Sequence, residues 1–429
     1  MSLSVLTFER QHERYNMQPA ELHAKLETYA RLIIQGGCNL QPGQELLLSI
    51  STDNTDFARI LTAQAYAQGA SHVTVRFGDE KISRLHYENC ALAIFEQFPE
   101  WLALLNNSMA QQGAAVLSVI SDSPTALKGV DQNKLVANSR ASHEACKEFY
   151  DSIDQGKLVW CIVGAAAPDW ASYVFPDLPI QVAMDRLWEA IFNTVRLDAP
   201  DPLTAWEDHR ASFNKRKAWL NAQHFDRLHY TNSLGTDLMV GLNTKGIWQG
   251  GGDVTIEDRE FFPNMPTEEI FTTPDRLRAE GVVFSSMPLS HYGNLVENFS
   301  LTFKDGKVTD CWAQTGQDTL EAIFAVDEDA GRLGECALVP FGSPIQQAGI
   351  LFYSTLFDED ASCHLAVGQG FPDCLEGGQQ METEELKAHG VNKSATHVDF
   401  MMGTRDLCIT GITADGIQVP IFKEGEWAF

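Results

Sequence analysis

The first 195 residues alternate between short apolar runs and segments with helical spacing, and this alternation limits the folds open to the chain. The apolar runs predict strands over 41–51, 72–79, 113–121 and 157–166. The segments with helical spacing predict helices over 19–36, 56–70, 98–112 and 181–195. Strand–helix–strand units with short connections form largely parallel sheets, because the helix supplies the crossover between parallel strands. The N-terminal part is therefore predicted to be an α/β domain.

Proline and acidic residues in LDAPDPLTAW, residues 197–206, mark the predicted end of that domain. Beyond residue 228 the apolar runs shorten, and Asp305-Gly306 and Asp415-Gly416 are dipeptides typical of hairpin turns. We therefore predict an α/β domain with a largely parallel sheet over 1–200 and an α+β domain rich in antiparallel sheet over 201–429. The segment AWEDHRASFNKRKAWLNAQ, which follows the boundary, is interpreted as a solvated connecting helix.

The acidic charge of the chain narrows its possible partners. With 31 basic and 58 acidic residues among 429, the net charge is −27. Nucleic acid and anionic membrane surfaces attract basic patches, so neither is an expected partner. Nine cysteines without a CxxC pair are typical of a reducing compartment, and the first residues, MSLSVLTFERQHER, lack the apolar run of a secretory signal. We therefore expect a cytoplasmic protein.

Side chains that bind metals are concentrated near the C-terminus, each in or beside an apolar run: Glu335, Glu359, His364, His397 and Asp399. A buried charge without a partner costs several kcal/mol or more, so these groups must be paired or bound to a cation. If THVDF is a strand, His397 and Asp399 project from one face, because successive side chains alternate. Imidazole and carboxylate together suit zinc, manganese, iron or cobalt.

Four blocks of sequence occur together and in order: PTEEIFTTP, LGECALVPFGSPI, TLFDEDASCHLAVG and HVDFMMG. With them the chain resembles the thermophilic-type metalloaminopeptidases, the group of aminopeptidase T, aminopeptidase S and PepS. The similarity continues through LGTDLMVGL and IFKEGEW, and into the N-terminal half at QPGQELLLSI. It implies a two-domain homodimer with a dinuclear metal site in the C-terminal domain, which releases N-terminal residues from peptides with a free N-terminus.

The resemblance also implies the metal ligands, which fall on Glu269, Glu335, Glu359, His364, His397 and Asp399. They would hold two divalent ions (zinc, cobalt or manganese), whose four positive charges balance the four carboxylates. Two adjacent metals can acidify a water and polarise the scissile carbonyl. Glu268 is the candidate catalytic residue that accepts the proton of that water and passes it to the leaving amine.

The chain departs from the family pattern beside the predicted ligands. Asp360 and Ser354 stand where relatives commonly have Asn, and Phe371 stands where a Tyr is frequent. If that Tyr hydroxyl helps to polarise the substrate in relatives, Phe371 cannot supply the same assistance here.

Two alternatives to the peptidase use the same residues. His364, His397 and Asp399 alone would form the two-His-one-carboxylate triad of a mononuclear non-haem Fe(II) dioxygenase. A metal-stabilised binding protein would saturate its metals and leave no open position. The further carboxylates of Glu269, Glu335 and Glu359 favour a second metal, and hence hydrolysis.

Overall fold

The computed structural model describes residues 17–291 and 293–429, and the chain divides into two compact units. The first unit extends to Asp208 and also includes Gly252–Pro266, whereas the second comprises His209–Gly251 and Thr267–Phe429. The sequence placed the boundary at residues 200 and 201, eight residues before the structural division. The segment MSLSVLTFERQHER, on which the absence of a secretory signal was predicted, lies outside the described residues.

The helices of the described residues lie mostly in the N-terminal half. They are α1 Pro19–Leu32, α2 Thr55–Gln68, α3 Glu80–Asn89, α4 Leu92–Phe95, α5 Glu100–Gln111, α6 Gln132–Ala145, α7 Lys147–Asp154, α8 Pro168–Val174, α9 Ile180–Thr194, α10 Pro202–Gln223, α11 Gln317–Phe324, α12 Pro344–Gln347, α13 Thr355–Asp358 and α14 Thr383–Ala388. The helices predicted from apolar spacing correspond to α1, α2, α5, α9 and α10. Across the described ranges, none of the helices combines the length and the apolar character needed to cross a membrane.

The strands of the described residues shorten and multiply after α10. They are β1 Glu45–Ser51, β2 His72–Gly78, β3 Ala115–Ile120, β4 Trp160–Gly164, β5 Phe225–Thr231, β6 Asp237–Leu242, β7 Gln249–Gly250, β8 Asp253–Val254, β9 Glu260–Phe261, β10 Asn264–Met265, β11 Ile270–Thr272, β12 Pro274–Phe284, β13 Leu289–His291, β14 Asn294–Lys304, β15 Lys307–Thr315, β16 Leu333–Leu338, β17 His364–Gly368, β18 His397–Met401, β19 Cys408–Thr413, β20 Gln418–Lys423 and β21 Glu426–Trp427.

The first unit is built on a five-stranded parallel sheet with the order β10-β4-β3-β1-β2. The parallel pairing of β1 to β4 confirms the prediction made from the strand–helix alternation. Leu46, Leu47 and Leu48 of β1, an interior strand, are at most 1% exposed, as expected where both faces of a parallel sheet are covered. The short strand β10 comes from the returning segment 252–266, which carries no comparable apolar run.

The second unit contains a nine-stranded sheet and a five-stranded sheet with the order β18-β17-β16-β11-β7. Their pairings are antiparallel, as the short strands and turn dipeptides predicted. Asp305 and Gly306 form the two-residue turn between β14 and β15, both with positive φ, which the hairpin requires.

The hydrophobic core of the second unit takes alternate residues from both sheets. Leu228 and Val240 contribute from the large sheet, and Cys336, Leu365 and Val398 contribute from the five-stranded sheet. Because successive side chains of a strand point to opposite faces, the residues between these core positions project from the other face of the five-stranded sheet. That second face carries most of the predicted metal ligands.

The helix α10 is more buried than the sequence suggested. Trp206, Phe213 and Leu220 are each 1% exposed, so the interpretation as a solvated connecting helix was wrong for one of its faces. These residues recur at intervals of seven, which places them on one stripe of an α-helix. His209 lies on the same stripe and is 10% exposed at its side chain.

The loop before β16 is fixed by Asp329, which is 7% exposed. Its carboxylate accepts a hydrogen bond from Arg276 and pairs with Lys387 Nζ at 2.8 Å and Arg332 Nε at 3.3 Å. Burial opposes ionisation, but the hydrogen bond from Lys387 and the charge of Arg276 hold the pKa of Asp329 below its usual range. This charged cluster anchors the chain just before the strand that carries Glu335.

We expect Asp329→Asn to lower the free energy of unfolding by about 3 kcal/mol at pH 7, because three cationic groups lose a mostly buried counter-ion. The folded pKa of Asp329 is depressed, so its contribution is complete above the unfolded pKa of about 3.9 and is lost as pH falls through the folded value. Urea denaturation of both proteins at pH 7 and at decreasing pH measures this. Asp56→Asn, which disrupts an exposed pair with Arg59, is the control and should change little.

Candidate metal centre

Three neighbouring strands present the metal-binding side chains on one face of the five-stranded sheet. In the antiparallel register, Glu335 of β16 lies opposite Ala366 of β17, and Ala366 lies opposite Asp399 of β18. Directly opposed residues share a face, so the two carboxylates flank a methyl group. Because Ala366 occupies so little space, the two longer side chains can converge above it. His364, two residues before Ala366, points to the same face.

One group of potential ligands consists of Glu269, Glu335 and His364, whose ligand atoms lie within 4.8 Å of one another. Glu269 immediately precedes β11, and its Oε2 lies 3.2 Å from His364 Nε2. His364 Nδ1 lies 3.3 Å from the carbonyl oxygen of Ser362. A carbonyl oxygen can only accept, so this contact favours a proton on Nδ1 and leaves Nε2 directed at the carboxylates.

The second group consists of Glu335, His397 and Asp399, again within 4.8 Å. His397 Nε2 lies 3.1 Å from Asp399 Oδ1 and 3.3 Å from Glu335 Oε2. Its Nδ1 is 2.7 Å from the carbonyl oxygen of Gln369, which orients the ring in the same way as that of His364. The prediction that His397 and Asp399 share one face of a strand is confirmed. Glu335 belongs to both groups.

Glu359 lies on the helical turn Glu359–Ala361 rather than on a strand. It is outside the two groups of three, but burial and the charges of Glu269 and Asp399 raise the pKa of its carboxyl well above the ordinary value. A small cleft is lined by Glu359 and Asp399 together with Leu289, Met401 and others. The six predicted ligands are therefore close together, and Glu359 lines the cleft beside them.

The pKa values of these groups are shifted from their ordinary values by burial and by the charges of their neighbours. Burial, with the nearby acids Glu269 and Asp399, raises the pKa of Glu335 to about 7. Burial alone would lower the pKa of His364, but Glu269 and further carboxylates raise it to about 10. Burial likewise opposes charge on His397, whereas Asp399 and Glu335 raise its pKa to about 11.

This donor set fits divalent metal ions. The carboxylates are buried close enough to repel one another, and the imidazoles carry protons that offset part of that repulsion. A divalent cation can replace those protons and would use the Nε2 atoms that the Nδ1 contacts leave facing the site. Oxygen and imidazole nitrogen ligands together suit zinc, cobalt and manganese.

Glu268 is 5% exposed and is held by its neighbours. Its backbone N–H donates to Asp360 Oδ1 at 2.7 Å, and its Oε2 lies 3.7 Å from His209 Nε2. His209 was not among the residues predicted from the sequence, although its spacing from Trp206 and Phe213 on one stripe of α10 was a usable signal. Asp360 was noted only as a departure from the family pattern.

Phe371 also lies beside the predicted ligands. Its ring centroid is 5.0 Å from that of His397 and 5.4 Å from that of Phe271. The side chain therefore shields the imidazole with apolar surface and offers no hydroxyl at this place.

Comparison with known proteins shows which family the chain matches. The family model described as thermophilic metalloprotease (M29) matches residues 22–427. Aminopeptidase AmpS of Bacillus subtilis (strain 168) is 45% identical over 405 residues, which are 94% of this chain and 98% of the relative. Aminopeptidase T of Thermus thermophilus is 40% identical over 402 residues, which are 94% of this chain and 98% of that relative. The solved structure of wild-type AmpT from Thermus thermophilus is 39% identical, with a TM-score of 0.88, and the match covers 95% of this chain and 100% of that one.

The raised pKa values predict that metal binding releases protons. At pH 7 both His364 and His397 are protonated in the metal-free protein, and the raised pKa values of Glu335 and Glu359 favour further protons on those carboxyls, so binding should release at least two protons per chain. Since these protons compete with the metal, affinity should rise as pH increases from 6 to 8. Calorimetric titration of metal-free protein with Mn²⁺, in two buffers of different ionisation enthalpy, measures the protons released.

His397→Gln is the matched variant for that titration, because it removes one of the two protonated ligands and retains a polar side chain. It should release about one proton fewer than the unmodified protein. Binding without any proton release, or with affinity independent of pH, would contradict the assignment of these histidines as ligands.

Proposed function

The chain belongs to the thermophilic metalloprotease (M29) family, and on this premise we propose that it is a metal-dependent aminopeptidase that releases N-terminal residues from peptides with a free N-terminus. We further propose that Glu269, Glu335, Glu359, His364, His397 and Asp399 hold two divalent metal ions, whether zinc, cobalt or manganese. The observation that carries this proposal is the position of Glu335. It belongs to both groups of ligand atoms, so its carboxylate would be available to an ion held by either group.

Charge supports two metals rather than one. Four carboxylates and two neutral imidazoles balance the four positive charges of two divalent ions. With a single ion, two of the groups would have to keep a proton, or two negative charges would stay uncompensated on a sheet face where Glu335 is 4% and His364 is 1% exposed. Uncompensated buried charges are unfavourable, so a second cation is what allows all four carboxylates to stay ionised.

When bound, the metals would acidify a water molecule and polarise the scissile carbonyl. The protein's own contribution begins with Glu268, whose carboxylate accepts a proton and delivers it to the leaving amine. Its burial keeps bulk water away from the carboxylate, and Asp360 fixes the adjacent backbone. A general acid–base group held in this way contributes about 10²–10⁴-fold to the rate.

The cleft beside Glu359 and Asp399 is where we propose that the N-terminal residue of a peptide enters. Apolar surface from Leu289 and Met401 lines it next to the two carboxylates. The carboxylate oxygens can accept hydrogen bonds from the terminal amine, and the apolar side chains can contact the first side chain of the peptide. This arrangement fits substrates with a free N-terminus.

The dioxygenase alternative fits the geometry less well. A mononuclear iron site would need His364, His397 and Asp399 around one ion. Within the described residues, the two histidines fall into different groups, each completed by Glu335. The family assignment likewise favours the peptidase.

Two further properties belong to the proposal. The family resemblance implies a homodimer. All nine cysteines are free, and several are fully buried, which suits a protein kept in the reducing cytoplasm. Burial raises the pKa of the Cys363 thiol, next to His364, to about 12, so this thiol is not an activated nucleophile.

Replacement of Glu335 tests the two-metal proposal. Glu335→Ala removes a carboxylate shared by both groups, so metal content should fall from about two ions per chain to one or fewer. The rate of hydrolysis of aminoacyl arylamides should fall by several orders of magnitude. In a mononuclear iron enzyme, Glu335 lies outside the triad, and its loss would lower metal affinity or activity by about 10–100-fold. Elemental analysis and arylamide hydrolysis of both proteins provide the comparison.

Glu385→Ala, on the exposed part of α14, is the matched control and should leave metal content and activity unchanged. One iron per chain in the unmodified protein, with no amide hydrolysis under any added metal, would overturn the aminopeptidase assignment.

A further inference from the structure

The peptide group between Thr267 and Glu268 is held by side chains at both of its polar atoms. The carbonyl oxygen of Thr267 lies 2.9 Å from His209 Nε2. The N–H of Glu268 donates to Asp360 Oδ1 at 2.7 Å. Thr267, Glu268 and Asp360 are 6%, 5% and 1% exposed, so the contacts are shielded from water. One peptide unit is thus bonded on opposite edges by residues distant in sequence.

The donor and acceptor roles in this arrangement follow from the chemistry of the atoms. A carbonyl oxygen cannot donate, so the hydrogen bond to Thr267 requires a proton on His209 Nε2. The Glu268 N–H requires an acceptor, which is an oxygen of Asp360. Because a peptide group is planar, fixing its oxygen and its N–H together fixes the orientation of the whole plane. That plane sets the direction in which the Glu268 side chain leaves the backbone.

We propose that His209 and Asp360 act as a peptide clamp that positions Glu268 for proton transfer and Glu269 for metal binding. The inference rests on the function proposed above, since it assumes the roles of these two glutamates. His209 and Asp360 are positioning residues, because they act through the 267–268 peptide rather than on the substrate.

The position of Asp360 gives the clamp a second effect. It follows Glu359 directly on the same helical turn. The hydrogen bond from Glu268 to Asp360 therefore ties two ligand-bearing segments together, the one before β11 and the one after α13. Without Asp360 the spacing between Glu269 and Glu359 is no longer fixed, and without His209 the 267–268 peptide can turn. Metal affinity and proton transfer should then weaken together.

His209 could be replaced by an apolar residue if packing were its only role. Its ring meets Phe213 edge-on, with centroids 4.4 Å apart, on the buried stripe of α10. A leucine or phenylalanine would retain most of that contact but could not donate to Thr267. Its Nε2 also lies 3.7 Å from Glu268 Oε2, so the same proton lies near the carboxylate that it helps to orient.

Four variants separate the hydrogen bonds from packing and charge. His209→Leu removes the donor and Asp360→Leu removes the acceptor, whereas His209→Gln retains an N–H donor and Asp360→Asn retains an oxygen acceptor. We expect the leucine variants to lose about 10–100-fold in kcat and in Mn²⁺ affinity, with little change in KM. The glutamine and asparagine variants should stay within a few-fold of the unmodified protein. Manganese affinity is measured calorimetrically on metal-free protein, independently of activity.

The double variant His209→Leu/Asp360→Leu tests whether the two residues act on one peptide. If they do, the second substitution adds little once the first has released the plane, and the combined loss is close to the larger single loss. Independent effects would instead multiply. A multiplicative result would overturn the clamp as a unit.

Thr236→Val is the matched control for stability. Thr236 is 2% exposed, and its hydroxyl accepts a hydrogen bond from the N–H of Phe284 elsewhere in the same unit. This variant should lower the thermal unfolding midpoint of metal-free protein but leave kcat and Mn²⁺ affinity unchanged. If His209→Leu behaves in the same way, its role is merely structural and the proposal fails. His209→Phe repeats the test should the leucine variant not fold.

The outcomes also distinguish the clamp from the function on which it rests. If the unmodified protein hydrolyses arylamides while all four variants retain its kcat and Mn²⁺ affinity, the clamp is refuted and the aminopeptidase stands. If the unmodified protein binds Mn²⁺ but hydrolyses no arylamide, the proposed function fails. The metal titration of the leucine variants then still decides whether the clamp positions Glu269.

Discussion

The mutual repulsion of buried carboxylates around Glu335 is the constraint on which this site depends. Glu335 is 4% exposed, and burial together with its acidic neighbours raises its pKa to about 7. Such a group is stable in a protein only when a proton, an imidazolium or a metal cation compensates it. In the absence of metal, protons on the two histidines and on carboxyls with raised pKa values provide that compensation, and divalent ions would provide it when bound. Folding and metal binding are therefore expected to be linked.

The architecture meets this constraint with rigid strands. Alternate residues of the five-stranded sheet enter the hydrophobic core of the second unit, which fixes the strands. The residues between them place the proposed ligands on the opposite face, and Ala366 leaves space for Glu335 and Asp399 to converge. Gly368, opposite His397, has a φ of 103°, and a Cβ there would lie 2.1 Å from the Thr396 carbonyl oxygen. Glycine at this position allows β18 to approach closely enough to bring His397 to Glu335.

Local sequence patterns predicted those parts of the structure that local geometry decides. The strand containing His397 and Asp399 and the parallel pairing of β1 to β4 both follow from spacing along one segment. Pairing between segments that are distant in sequence cannot be predicted from the residue spacing within either segment. The return of 252–266 to the first unit, and the contact of His209 with Thr267, depend on tertiary packing. Among the proposed ligands, Glu335, Glu359, His364, His397 and Asp399 stood out by their residue types beside apolar runs, whereas Glu269 was indicated only by the family resemblance.

The most direct test of the two-metal account is anomalous diffraction from crystals of the cobalt-loaded protein, measured on either side of the cobalt absorption edge. The account predicts two anomalous peaks per chain, about 3.5–4 Å apart, with Glu335 between them. One peak should lie next to His364 and Glu269, and the other next to His397 and Asp399. A single peak bound by His364, His397 and Asp399, with Glu335 outside the coordination sphere, would contradict the account.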